Sequence, residues 1–112
     1  MSKKSLQTAI WILGAITAVI HLALAFLFGS FDALFLLNGL GFIVLLWALL
    51  KTPAFLSGLQ SLIPWALILY TLVTIVLFFV FNAETGYGPL GLLTKADEVL
   101  LIVAVFMHSR AE

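Results

Sequence analysis

The chain contains no cysteine. Disulfides, thiol catalysis and Cys-ligated zinc or iron–sulfur sites are therefore excluded. Charge is almost as scarce. Five Lys or Arg and five Asp or Glu make up 9% of the 112 residues, and the formal net charge is zero. No basic run occurs, so nucleic acid is not an expected partner. The chain also lacks a serine or cysteine nucleophile arrangement, a glycine-rich phosphate loop and paired zinc histidines. No enzyme is expected, no metal site and no cofactor.

What fills the chain instead is apolar. Hydrophobic residues make up 64% of it, and the mean hydropathy is +1.28. A soluble domain carries ~25% charged residues to cover its surface. Lipid is the expected solvent here, and at ~20 residues per span the length accommodates four spans with short loops. The fold class read from this pattern is all-α. It is a membrane-spanning four-helix bundle of up-down-up-down order, one domain over residues 1–112.

The expected spans are about 6–28, 32–50, 64–81 and 89–108. Lys3, Lys4 and a small-x-small triplet at Ala23-Leu24-Ala25 imitate a signal peptide. The run from Leu6 to Phe28 exceeds the 7–15 residues of such a core, so we read a retained span. Gly14, Thr17, Ala18, His21 and Ala25 share one face of it, a small-residue stripe that admits a close neighbour. Gly29-Ser30 ends this span, and Asp32 is placed to cap the second. Asn38, Gly39 and Gly41 form a polar, small-residue patch early in the second span. Residues 53–62 read as a short helix in the interface, with Phe55, Leu56, Leu59 and Leu62 on one stripe, or as an extension of span three kinked at Pro64. Residues 82–88 form a turn-rich loop. Span four is either one helix from Pro89, or an apolar loop followed by a helix that starts at Thr94 with a Thr94-x-x-Asp97 cap.

Lys3, Lys4, Lys51 and Arg110 fall on one side of such a bundle, and the opposite loops hold Asp32 and Glu84. The positive-inside rule then places both termini in the cytoplasm of a multi-pass plasma-membrane protein. Trp11, Trp47 and Trp65 land near the same side, as an interfacial aromatic belt does.

The unusual residues gather by depth. His21, Asn38, Thr74, Thr94, Lys95, Asp97 and Glu98 all lie ~9–14 Å below the outer boundary, one polar layer drawn from four helices. Lys95 and Glu98 are three apart and can pair; Lys95 and Asp97 cannot do so directly. The other carboxylate needs a proton, His21, Asn38 or a cation. Ionisable groups at this depth mark binding or transport sites. Against this stands a structural reading, in which Lys95–Glu98 is a packing ion pair, Asp97 caps a helix and His21 is a satisfied interior histidine.

The pattern of His21, then Leu36-Leu37-Asn38-Gly39-Leu40-Gly41-Phe42, then Gly88-Pro89-Leu90-Gly91-Leu92-Leu93-Thr94-Lys95-Ala96-Asp97-Glu98-Val99-Leu100-Leu101 resembles a family of small four-span prokaryotic integral membrane proteins of unknown function. The Thr94–Glu98 segment is its most specific part. The resemblance implies the four-helix architecture over nearly the whole chain and brings no activity.

The function expected is that of a non-enzymatic partner subunit or small-ligand binder that uses the polar layer. Its expected partners are the bilayer and a second copy or a larger membrane complex. The alternatives are a proton- or ion-coupled small carrier and a single-histidine haem or pigment protein. His21 and His108 fall near opposite ends of the bundle and cannot ligate the same haem.

Overall fold

The computed structural model describes residues 2–27, 33–51, 54–81 and 88–110. The Gly29-Ser30 break, the Asp32 cap, the 82–87 loop and the side chains of Ala25, Phe55 and Leu56 lie outside the described residues.

The described residues form four α-helices and one short 3-10 helix, with no strand among them. They are α1 (Lys3–Leu27), α2 (Ala33–Lys51), the 3-10 helix Ala54–Leu59, α3 (Ile63–Phe81) and α4 (Pro89–Arg110). Ser2 caps α1: its hydroxyl accepts from the Ser5 N–H at 3.1 Å and its carbonyl from Leu6 at 3.0 Å. Pro64 falls in the first turn of α3 and Pro89 opens α4, positions where a missing N–H leaves no bond unmade. The chain between the middle helices is thus a separate short helix rather than a kinked extension of α3.

α4 is continuous. The Leu92 N–H bonds to the Gly88 carbonyl at 3.0 Å, so regular helix begins at Pro89 and passes through Thr94 without a break. Thr94 is therefore no cap. Its hydroxyl donates back to the Leu90 carbonyl at 2.7 Å, as a threonine does inside a helix with no other acceptor in reach. The late-starting helix and its Thr94-x-x-Asp97 box are set aside on this evidence.

Consecutive helices pack on one another and α4 closes back onto α1; α1 makes the most extensive contacts and α2 with α3 the least. The start of α1, the end of α2, the start of α3 and the end of α4 line one cleft, so the order is up-down-up-down. Ile10, Phe42, Leu46, Leu67, Leu101 and Val105 form the apolar core. The α1 stripe is used as read: Leu46 of α2 packs over Gly14, and Leu22 and the Ala18 backbone crowd Gly39. Two helices, over Lys3–Leu24 and Ile63–Val80, are long and apolar enough to cross a membrane, with mean hydropathies of 1.7 and 2.4. α2 is apolar over the shorter Leu36–Lys51.

Candidate functional site: a buried charged layer around Glu98

Glu98 is fully buried, and each of its carboxylate oxygens meets one short donor. Lys95 Nζ reaches Oε1 at 2.6 Å from one turn earlier on α4. The Thr17 hydroxyl of α1 donates to Oε2, also at 2.6 Å. Both are charge-assisted bonds, about twice as strong as neutral ones. The three-residue spacing on α4 delivers the first. The close packing of α1 on α4 delivers the second.

His21 stands one turn beyond Thr17 on the same face of α1. Its Nδ1 lies 2.8 Å from the Thr17 carbonyl. A carbonyl only accepts, so Nδ1 donates, and Nε2 is the atom turned towards Glu98, 4.0 Å from Oε2. The Thr17 hydroxyl is also 3.3 Å from Nδ1. Its single proton goes to Glu98, so towards the ring it can only accept. Thr17 thus couples the imidazole to the carboxylate through one oxygen.

A second polar group lies between α2 and α3. The Tyr70 hydroxyl donates to the Asn38 backbone carbonyl at 2.8 Å. The Thr74 hydroxyl is shared between the Tyr70 carbonyl, at 3.0 Å, and Asn38 Oδ1, at 3.3 Å. Thr71 bonds only within its own helix, to Leu67 at 2.8 Å. Phe42 joins the two groups: its ring is 5.8 Å from that of His21 and 4.9 Å from that of Tyr70, edge-on in the second case. Two glycines make room for the flanking rings. A Cβ on Gly41 would overlap the Tyr70 hydroxyl, and one on Gly91 would overlap Phe78. The Phe78 ring centre lies 5.2 Å from Lys95 Nζ, a cation–π contact.

Of the residues singled out in the sequence, the structure brings His21, Lys95 and Glu98 into one network, and Asn38 and Thr74 into a neighbouring one. Thr94 is buried but bonds only along its own helix. Asp97 is buried, and its Oδ2 has no hydrogen-bond partner among the described residues. Two members escaped the sequence reading as polar partners. Thr17 was visible only as a small residue on the α1 stripe, although its place four before His21 puts both on one face. Tyr70 had no signal, because its hydroxyl bonds to a backbone carbonyl. Among the described residues, no group of three or more His, Asp or Glu gathers to hold a metal ion. Neither of the two described clefts is lined by Lys95, Asp97 or Glu98.

A scan against protein-family models and searches of curated proteins and of solved structures returned no match for this chain.

Proposed function

We propose that the chain is a four-span integral membrane protein without catalytic role, a partner subunit or small-ligand binder that uses the charged layer inside its bundle. The observation that carries this reading is an inverted surface. On the outer faces, Val19 is 63% exposed, Leu37 63%, Leu69 62% and Leu93 68%, one on each helix, whereas Lys95 is 6% exposed, Asp97 8% and Glu98 0%. Water would favour the reverse distribution, and apolar patches this extensive on a lone soluble bundle would associate. A bilayer favours what is found: apolar residues outwards and ionisable ones turned inwards, with Lys95 and Glu98 paired. α4 is too charged to read as a span by hydropathy alone, yet its three charges within the span all face the interior. Its 22 residues at 1.5 Å each reach ~33 Å, enough for the ~30 Å hydrocarbon core.

The cation-rich end supports a cytoplasmic placement of both termini, since Lys3 and Arg110 line one cleft, with exposed Lys51 closing the adjoining helix. Membership of the four-span prokaryotic family that the Thr94–Glu98 segment resembles belongs to the same proposal, as does assembly with a second copy or a larger complex.

Within the layer, Glu98 is satisfied by Lys95 and Thr17, which favours a closed, neutral hub. Asp97 supports the second reading, a proton- or ion-coupled carrier, because its Oδ2 is an acceptor with no donor among the described residues. The pigment reading gains no support: the His21 ring is held between Thr17, Glu98 and Phe42.

Solvent access separates the two. Single cysteines at positions 94 to 98 of this cysteine-free chain, treated in intact membranes with an impermeant thiol reagent from each side, should stay unlabelled if the layer is a sealed hub. Labelling at position 97 from one side, with 96 silent, would transfer the proposal to the carrier. Labelling at all five positions would overturn the membrane-embedded reading altogether.

A further inference from the structure

All four helices also meet at the end where α1 and α3 begin, and they leave a cleft of about 680 Å³ there. Lys3 and Gln7 of α1, Gln60 and Ser61 before α3, and His108 and Arg110 of α4 supply its polar lining. Among the described residues, no acidic one lines it. Leu49, Leu50, Pro64 and Trp65 form an apolar wall beside them. Two helices begin here and two end here, so their dipoles offset one another and the local positive field comes from Lys3 and Arg110.

One atom in this lining lacks a counterpart. His108 is only 8% exposed, and its Nε2 is buried without a hydrogen-bond partner among the described residues. The Arg110 guanidinium carbon lies 5.2 Å from the Phe106 ring centre, a cation–π contact. The Ser109 hydroxyl is committed to the Phe106 carbonyl at 2.7 Å. A cleft lined by two cations, by uncharged amide and hydroxyl groups and by a histidine with an unpartnered ring nitrogen suits an anion with several acceptor oxygens.

We propose that this cleft binds a phosphate group, with His108, Lys3 and Arg110 as its ligands. An anionic phospholipid headgroup and free phosphate share that chemistry. The apolar wall at Trp65 fits the first, with the glycerol and upper acyl chain lying against it. The site is separate from the charged layer and does not depend on what the layer does.

The test uses the full chain in maltoside micelles, titrated calorimetrically with inorganic phosphate, dihexanoyl phosphatidylglycerol and dihexanoyl phosphatidylcholine. Saturable binding of phosphatidylglycerol but not of phosphate identifies a headgroup site, and binding of both identifies a phosphate site; either supports the proposal. Arg110→Gln, Lys3→Gln and His108→Gln should each weaken binding about tenfold, the loss of one charge-assisted bond. Lys4→Gln, exposed and outside the lining, should leave it unchanged. Helicity by circular dichroism checks each fold; should His108→Gln fail to fold, the two exposed positions Lys3 and Arg110 still decide. Absence of binding by both phosphate and phosphatidylglycerol overturns the proposal. So does binding equal to that of phosphatidylcholine, or a loss on Lys4→Gln as large as on Lys3→Gln.

Discussion

α4 carries charged and titratable residues in two places, and their surroundings are opposite. At its middle, Lys95, Asp97 and Glu98 are enclosed, and Lys95 and Glu98 answer each other at 2.6 Å. At its end, His108 and Arg110 line a cleft with Lys3, and no carboxylate among the described residues joins them. At the middle, Lys95 and Thr17 satisfy Glu98, while Asp97 keeps an oxygen with no hydrogen-bond partner among the described residues. The end leaves Lys3 and Arg110 exposed. Similar residue types thus lie inside the bundle in one place and at its exposed end in the other, where we propose a phosphate site. What differs is access to a polar medium.

That contrast can be broken at the middle first. Lys95→Met leaves Glu98 buried without its counter-charge and should cost ~3–5 kcal/mol of stability, read from denaturation in mixed micelles. Thr17→Val removes the other short bond and keeps the shape; a hydrogen bond to a charged group predicts a loss of ~1.5–3 kcal/mol. Gly41→Ala forces the Tyr70 hydroxyl off the Asn38 carbonyl and should cost ~1–3 kcal/mol, whereas Gly88→Ala, with nothing within 4 Å of an added Cβ, should be nearly silent. Asn38→Leu should lose only about 0.5–1.5 kcal/mol, since its side-chain oxygen meets a single neutral hydroxyl at 3.3 Å. At the end of α4, Arg110→Gln should change stability by less than ~0.5 kcal/mol, as an exposed position outside the core does. A large effect there, or a small one at Lys95, would erase the distinction.

The helices were legible in the sequence because hydropathy and helix-edge residues both mark them. Pro64 and Pro89 sit in the first turns of α3 and α4, and the apolar runs end where the helices end. The Lys95–Glu98 pair was legible because a spacing of three on a helix is local geometry. The partner of Glu98 on α1 was not. Thr17 and Glu98 are 81 residues apart, and only the packing of α1 against α4 brings them together. Nor did the helical wheel separate the two carboxylates. Asp97 and Glu98 are adjacent in sequence and both buried, but Thr17 stands opposite one of them only. Thr94 misled for a related reason: a threonine inside a helix and a threonine capping one look alike until the backbone between Gly88 and Leu92 is seen to be helical.

The central claim is that the charge in α4 is a closed pair within an apolar medium. A double-mutant cycle on Lys95 and Glu98 tests it most directly, with stability measured for Lys95→Met, Glu98→Met and both together. A buried pair predicts that each single change costs ~3–5 kcal/mol while the double change restores most of the loss, because a matched apolar pair replaces a matched ionic one. Single losses of ~0.3–0.5 kcal/mol, with no recovery in the double variant, are what a water-exposed helix pair gives, and that result would contradict the account.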